Sequence, residues 1–223
     1  IPAETLRRLW TMLAHNQGTL LNASRLASGL SVSAPTVTSY IDLLVDLALG
    51  LGELLAERPE LPVVLDPVLA SGAGTALGDR ALEQALRGLL SRVRLVTPNS
   101  LEARRLADAG DDLGACADRL LRLGAGAVLI TGTHEDEAQV VNRLYRPGAA
   151  PERWDCRRLA ASYHGSGCTL ASSIAGLLAQ GLEPFSAIHE AQEYTWQALA
   201  AGYRIGMGQQ LPNRLFWARD EQT

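Results

Sequence analysis

Apolar and polar positions divide the chain into two unlike parts. Up to Asp46 the apolar residues recur only at helical spacing. "PAETLRRLWTMLAHN", with Pro2 near its start, predicts a helix. "NASRLASGL" predicts a second, with Asn22 as its N-cap, and "SVSAPTVTSYIDLLVDL" predicts a turn and a longer helix. Helix, a turn containing "GLSVS", then helix again is the layout of a helix-turn-helix unit, and equally of a plain helical bundle. From Leu47 the pattern changes. "LPVVLDPVLA", "VRLVTPNS" and "GAVLITGT" are short β-rich runs, each ending in polar or small residues. Helical stretches lie between them: "DRALEQALRGLLSR", then "SLEARRLADAG" and "DLGACADRLLRLG". This alternation predicts an α/β fold with a parallel sheet covered by helices. "QVVNRLYR" and "ERWDCRRL" then alternate as a hairpin or flap. A glycine-containing turn, "YHGSGCTLASS", and two final helices close the chain.

At 223 residues and 47% hydrophobic composition, the chain can bury a substantial core, which argues against global disorder. The net charge of −4 gives no general reason to expect nucleic-acid binding. In residues 1–46, Arg7, Arg8 and Arg25 are balanced by Glu4, Asp42 and Asp46, whereas a DNA reader normally shows a basic stripe. All 20 basic residues are arginines, so no lysine serves as phosphate clamp or Schiff base. Cys116, Cys156 and Cys168 are too irregularly spaced for a disulfide framework or a zinc site, which fits a reducing cytoplasm. "YIDLLVDLALGLGELLAE" is interrupted by Asp42, Asp46 and Glu53, so it does not read as a membrane span.

In parallel sheets ligands gather beyond the carboxyl ends of the strands, and Asp66, Asn99 and Thr131 stand at such ends. Asp66 in "VVLDPV" reads as a magnesium- or phosphate-proximal acid, or as a turn carboxylate. In "TPNSLEARRL", Asn99 and Glu102 are three residues apart at a helix start. That spacing makes a capping pair, and it equally turns an amide and a carboxylate toward hydrated Mg²⁺. Thr131 and Gly132 in "ITGTHED" suit close approach by a nucleotide, while His134 reads as a surface histidine. "ASGAGTAL" is glycine-rich but fits no phosphate-binding pattern. Gly165, Ser166, Gly167 and Cys168 carry the sharpest signal. Two glycines admit close backbone approach, and the first amides of a helix suit an anion. A thiol there is expected to have its thiolate form favoured. The plainer alternative is a tight turn with a small cysteine.

The order DPV, TPNxxE, TG, GSGC on one α/β chain resembles the ribokinase-like kinases. Within them it resembles the hydroxymethylpyrimidine and phosphomethylpyrimidine kinases of thiamine biosynthesis. The similarity runs from "LPVVLDPVLASGAG" through "VTPNSLEARRLA", "VLITGTHEDE" and "SYHGSGCTLASSIAGLLAQG" to "EAQEYTWQALAAGYRIGMGQQLPNRLFWARDE". Residues 1–46 resemble the small winged-helix segment of a family of AAA-type ATPases, without that family's P-loop.

The resemblance implies a ribokinase-like three-layer sandwich over residues 47–223, preceded by a separate helical segment over 1–46. It implies ATP and Mg²⁺ as cofactors and hydroxymethylpyrimidine or its phosphate as the small-molecule substrate, in the cytoplasm. The turn Gly165–Cys168 would be the anion hole, with Cys168 as the base; most ribokinase relatives carry an aspartate there. Asn99 and Glu102 would organise the magnesium water shell, with Asp66 close by, and Thr131 and Gly132 would contact nucleotide. Some relatives carry a lysine where Thr131 stands. The family's first strand, its glycine-rich loop and its substrate-gripping segments have no match in 1–46. The expected sandwich is therefore truncated at its N-terminal strands, with an exposed sheet edge that invites a homodimer. A nucleotide-binding remnant without turnover and a DNA-binding regulator acting through 1–46 remain open alternatives.

Overall fold

The computed structural model describes residues 48–69 and 80–218. The expectations for residues 1–46 and for "ASGAGTAL" lie outside them. The described residues fall into two compact units, one holding 48–57, 68–69 and 80–89, the other 58–67 and 90–218. In the first, a helical run over 48–56 and helix α1 (Arg80–Leu89) are the regular elements. Helix α1 buries Leu82, Ala85 and Leu89, a single stripe at helical spacing.

The second unit is built on one five-stranded sheet in the order β1 (Val64–Leu65), β2 (Leu95–Val96), β3 (Val128–Ile130), β4 (Gln139–Tyr145), β5 (Glu152–Arg157). The first three strands are parallel, as the strand–helix alternation predicts. The last two form the antiparallel hairpin read from the alternating residues, with Leu129 opposite Leu144 and Val141 opposite Asp155. The parallel strands are only two or three residues long, shorter than the apolar runs that contain them. A 3₁₀ turn (Leu90–Arg92) leads into β2, and α2 (Ser100–Ala107) and α3 (Leu113–Arg122) connect β2 to β3. Helices α4 (Ser166–Ala179) and α5 (Pro184–Ala200) follow the hairpin and pack on each other.

Strand alternation sorts the core onto two faces. Leu95, Leu129 and Leu144 meet Leu170 and Ile174 of α4 and Ile188 and Ala191 of α5 in one cluster. Val96, Val128 and Ile130, all fully buried, point to the opposite face, where α3 packs on β3 and β4 and itself pairs with α2. Sheet between two helical layers is the expected three-layer α/β arrangement.

Helix ends follow from local chemistry. Asp112 accepts the Ala115 amide at 2.6 Å to start α3, and Glu183 accepts from Phe185 at 2.9 Å with Pro184 in the first turn of α5. The loop after β3 is folded by Arg158, whose guanidinium donates to the carbonyls of Thr133 (2.9 Å), Glu135 (3.0 Å) and Glu137 (3.2 Å). Arg104 of α2 holds the same loop through a bidentate pair with Glu135, at 2.8 and 3.1 Å.

That pair carries a pH signature. The Arg104 guanidinium holds the Glu135 carboxyl down at about 2, against an ordinary 4.5. A folded-state pKa below the unfolded one stabilises above the unfolded value, and that contribution is lost as pH falls through the folded one. The stability advantage of the wild type over Glu135→Gln is therefore expected to be constant near neutrality and to fade between about pH 4.5 and 2. Melting temperatures of both proteins across that range test it; a pH-independent difference would remove the pair from the acid limb.

Candidate active site

Hydrogen bonds between neighbouring parallel strands align their carboxyl ends. The Thr97 amide donates to Leu65 O (2.9 Å), the Ser100 amide to Thr131 O (3.1 Å) and the Thr131 amide to Pro98 O (2.9 Å). Asp66, Asn99 and Thr131 thus lie just past β1, β2 and β3 on one edge of the sheet, as their positions in the sequence suggest.

Asn99 and Glu102 form a reciprocal capping box. Asn99 Oδ1 accepts the Glu102 amide at 3.0 Å, and the Asn99 amide donates to Glu102 Oε2 at 2.9 Å. Of the two roles open for this spacing, capping is the one visible in the geometry. Asn99→Ala removes one half of the box and is expected to cost about 1 kcal/mol, a fall of roughly 2–4 °C in melting temperature. An unchanged transition would show the box to be dispensable.

The tip of β3 rests on a buried polar chain. The Gly132 amide donates to Asn142 Oδ1 (3.2 Å), and Asn142 Nδ2 donates to Gln192 Oε1 of α5 (2.8 Å). Both side chains are buried. Sequence reasoning missed them. The available signal was a polar residue at an inward position of β4 facing one on the apolar stripe of α5.

The turn before α4 is an open helix start. Gly165 is the helix N-cap in the left-handed region (φ 83°), and no side chain caps the helix. The first intrahelical bond runs from Thr169 N to Gly165 O at 3.0 Å, leaving the amides of Ser166, Gly167 and Cys168 without helical acceptors. The turn is not sealed in the core: Gly165 and Ser166 are half-buried, Gly167 and Cys168 exposed. A Cβ on Gly167 would stand 3.8 and 3.9 Å from the two carboxylate oxygens of Asp66, so the turn faces the tip of β1.

Asp66 and Cys168 act on each other. Burial raises the Asp66 pKa, against an interaction with the Cys168 thiol that lowers it. The Cys168 thiol is itself pushed up to about 11, first by burial and then by the Asp66 charge. The backbone amide and Arg214 pull the other way and lose. The expected thiolate at the helix start is therefore corrected: in the unliganded chain Cys168 is a thiol near neutral pH. Local helix chemistry favours the anion, but loss of solvation, and after it the charge of a carboxylate brought in from β1, outweigh it.

Two further residues meet the turn. Arg214 lies over Gly165, its Nη2 3.3 Å from where a Cβ would stand, and its Nε donates to Thr169 Oγ1 at 3.1 Å. His164 is half-buried; burial and the Arg214 charge lower its pKa. His134 is exposed, in keeping with a surface residue. Among the described residues no three histidine, cysteine or acidic side chains cluster as a metal-holding group. Asp66 nevertheless fits a hydrated Mg²⁺, which keeps most of its waters and needs one or two carboxylates beside substrate phosphates. A half-buried carboxylate whose ionised form is disfavoured gains by facing a cation. A cavity among Leu95, Ala127, Leu144, Ile174, Phe185 and Ile188 lies at the opposite, amino end of the parallel strands, away from this chemistry.

Comparisons with known proteins cover the same region. Residues 47–213 match the family model described as phosphomethylpyrimidine kinase. Residues 1–51 match a domain of unknown function, so the resemblance of that stretch to AAA-type ATPases has no support here. The chain is 38% identical over 172 residues to the thiamine biosynthesis bifunctional protein ThiED of Geobacter sulfurreducens, covering 74% of this chain and 35% of that protein. It is 35% identical over 153 residues to the hydroxymethylpyrimidine/phosphomethylpyrimidine kinase of Rhizobium meliloti, covering 66% of this chain and 57% of the relative. The chain thus spans less than two thirds of either. Among solved structures, the ADP complex of Bacillus subtilis pyridoxal kinase superposes with TM-score 0.69 at 27% identity, over 78% of this chain and 66% of the other. A phosphomethylpyrimidine kinase from Clostridium difficile superposes with TM-score 0.59 at 26% identity, over 70% and 64%.

Proposed function

The chain belongs to the phosphomethylpyrimidine kinase family, and on that premise we propose that it phosphorylates 4-amino-5-hydroxymethyl-2-methylpyrimidine and its phosphate, with ATP as donor, in thiamine biosynthesis. The observation that carries this reading is the meeting of an open, uncapped helix start with Asp66 and Cys168 at the carboxyl edge of the parallel strands. An ADP-bound relative of the same fold supports a nucleotide on this framework.

Phosphoryl transfer asks a protein chiefly to position groups and neutralise charge. The amides of Gly165, Ser166, Gly167 and Cys168 receive the migrating phosphoryl group, where the helix dipole adds to their hydrogen bonds. The substrate hydroxyl oxygen bonds to the γ-phosphorus, the bond to the ADP oxygen breaks, and the hydroxyl proton passes to the Cys168 sulfur. The thiol must first give its own proton to solvent water, which the exposed position of Cys168 allows. That loss is easier when Asp66 is neutralised, because the Asp66 charge is one cause of the raised thiol pKa. Thr131 and Gly132 approach the nucleotide, and the Asn142–Gln192 chain keeps that tip in place. When bound, Mg²⁺ supplies charge compensation for the phosphates; Asp66 would hold its water shell, with Asn99 and Glu102 behind.

The same reading takes residues 1–46 as a separate helical segment and 47–223 as the kinase portion, which the limits of the two family matches support. A cytoplasmic location and a homodimer belong to this proposal too. Cys116, Cys156 and Cys168 are all free, in keeping with a reducing compartment. Among the described residues no helix is long and apolar enough to cross a membrane.

The deciding experiment is ADP release by the full chain with ATP, Mg²⁺ and hydroxymethylpyrimidine. Substrate-dependent release supports the kinase. Nucleotide binding without release indicates a remnant that has kept only its phosphate side. A salt-dependent shift of duplex DNA, with neither, would return the function to residues 1–46.

A further inference from the structure

The chain has no lysine, and the pKa of His164 beside the turn is lowered, so an arginine is the side chain able to bring a lasting positive charge there. Most arginines with well-defined contacts are committed elsewhere. Arg104 pairs with Glu135, Arg143 with Glu137 and Arg153 with Asp155, while Arg158 is spent on loop carbonyls. Arg214 differs. Its guanidinium has no carboxylate within ion-pair distance among the described residues, and it is exposed.

Its position is nevertheless fixed at both ends. Tyr194 of α5 donates its hydroxyl to the Arg214 carbonyl at 2.9 Å. The Tyr194 ring also packs with Phe216 and Trp217, each at 5.7 Å between centroids. On the side-chain end, Nε donates to Thr169 Oγ1 (3.1 Å), and that hydroxyl in turn donates to Gly165 O (2.7 Å). Thr169 is buried, so this hydrogen-bond relay is a rigid orienting device rather than a surface contact. It uses one of the five guanidinium N–H groups. Nη2 reaches over Gly165, lying 3.3 Å from where a Cβ would stand. The field of Arg214 reaches the chemistry as well, lowering the pKa of both Cys168 and His164.

We propose that Arg214 is a phosphate-binding residue of this site, its free N–H groups contacting oxygens of the phosphoryl group being transferred above the Gly165–Cys168 turn. This rests on the kinase reading, which it deepens by assigning the cation. Arginine suits the task because its planar fork offers parallel hydrogen bonds to phosphate oxygens, and the charge compensates the transferred group directly.

The test compares the full-length wild type, Arg214→Gln and Arg214→Lys in calorimetric titrations with ADP and with AMP-PCP, both with Mg²⁺, alongside melting temperatures. Arg214→Gln is expected to weaken AMP-PCP by roughly tenfold or more, the weight of a charge-assisted hydrogen bond, while ADP affinity stays within about twofold. Arg214→Lys keeps the charge and is expected to recover part of the loss. Two outcomes overturn the proposal: equal AMP-PCP affinity in wild type and Arg214→Gln, or a parallel loss of both nucleotides with a lowered melting temperature. If the wild type binds neither nucleotide, the kinase reading itself fails and takes this inference with it. If the wild type binds both and Arg214→Gln matches it, only the inference fails.

Discussion

Cys168→Ala is expected to lower phosphoryl transfer by about 10²–10⁴-fold, the range for loss of a positioned general base, while leaving AMP-PCP affinity within about twofold. The two halves of this expectation have separate origins. Anion binding is assigned to backbone amides, and alanine keeps the amide at position 168 and the helix that orients it. Proton acceptance is assigned to the sulfur alone. Because the resting thiol sits at about 11, pushed up by burial and by Asp66, it should also alkylate slowly near neutral pH. Turnover by Cys168→Ala equal to that of the wild type would remove the base from the mechanism. A parallel collapse of nucleotide affinity would instead show the side chain to be part of the turn's architecture.

Gly132→Ala is expected to be the most damaging single methyl group in the described chain. A Cβ at this position would overlap the Val141 carbonyl oxygen and lie only 3.0 and 3.1 Å from its carbonyl carbon and amide nitrogen. All three are backbone atoms of β4, which is paired to β3 through Ile130 opposite Arg143 and to β5 through Val141 opposite Asp155. Relief therefore requires opening one of these ladders, or tilting the strand tip off Asn142. Overpacking of this kind costs about 3 kcal/mol, a fall of roughly 6–12 °C for a protein of this size. Gly176→Ala is the matched control. It adds a methyl inside α4 where nothing lies within 4 Å, so it should be neutral or stabilising by up to about 1 kcal/mol. Equal melting temperatures for the two variants would contradict the close approach of β4 to the tip of β3. Loss of nucleotide affinity in Gly132→Ala at temperatures where it stays folded would further link that tip to the site.

The sequence alone determined much of the framework. Helices α2 and α3 and the β4–β5 hairpin fall within the stretches whose periodicity marks them, and α4 and α5 are the two final helices expected to close the chain. Asn99 starts α2 as a cap, and Gly165 and Ser166 open α4. These features are legible because a helical stripe, a cap or a left-handed glycine depends on residues within about four positions of one another. Strand tips were legible for a related reason. In a parallel α/β layout the residue just past each strand must reach the same edge, so Asp66, Asn99 and Thr131 line up once the alternation is read. The lengths of β1, β2 and β3 were not, since an apolar run says what is buried and not how far its backbone is paired.

Only the tertiary structure decided the electrostatics and the supports of the site. The helix start favours a thiolate at Cys168, yet desolvation in the packed structure, joined by the charge of Asp66 about a hundred residues earlier in the chain, reverses that preference. Asn142 and Gln192 are 50 positions apart and Thr169 and Arg214 are 45, so no local pattern pairs them. Backbone conformation is chosen by near neighbours through sterics and short hydrogen bonds. The charge state of a thiol, the seating of a guanidinium and the partner of a buried amide depend on distances set when remote segments pack.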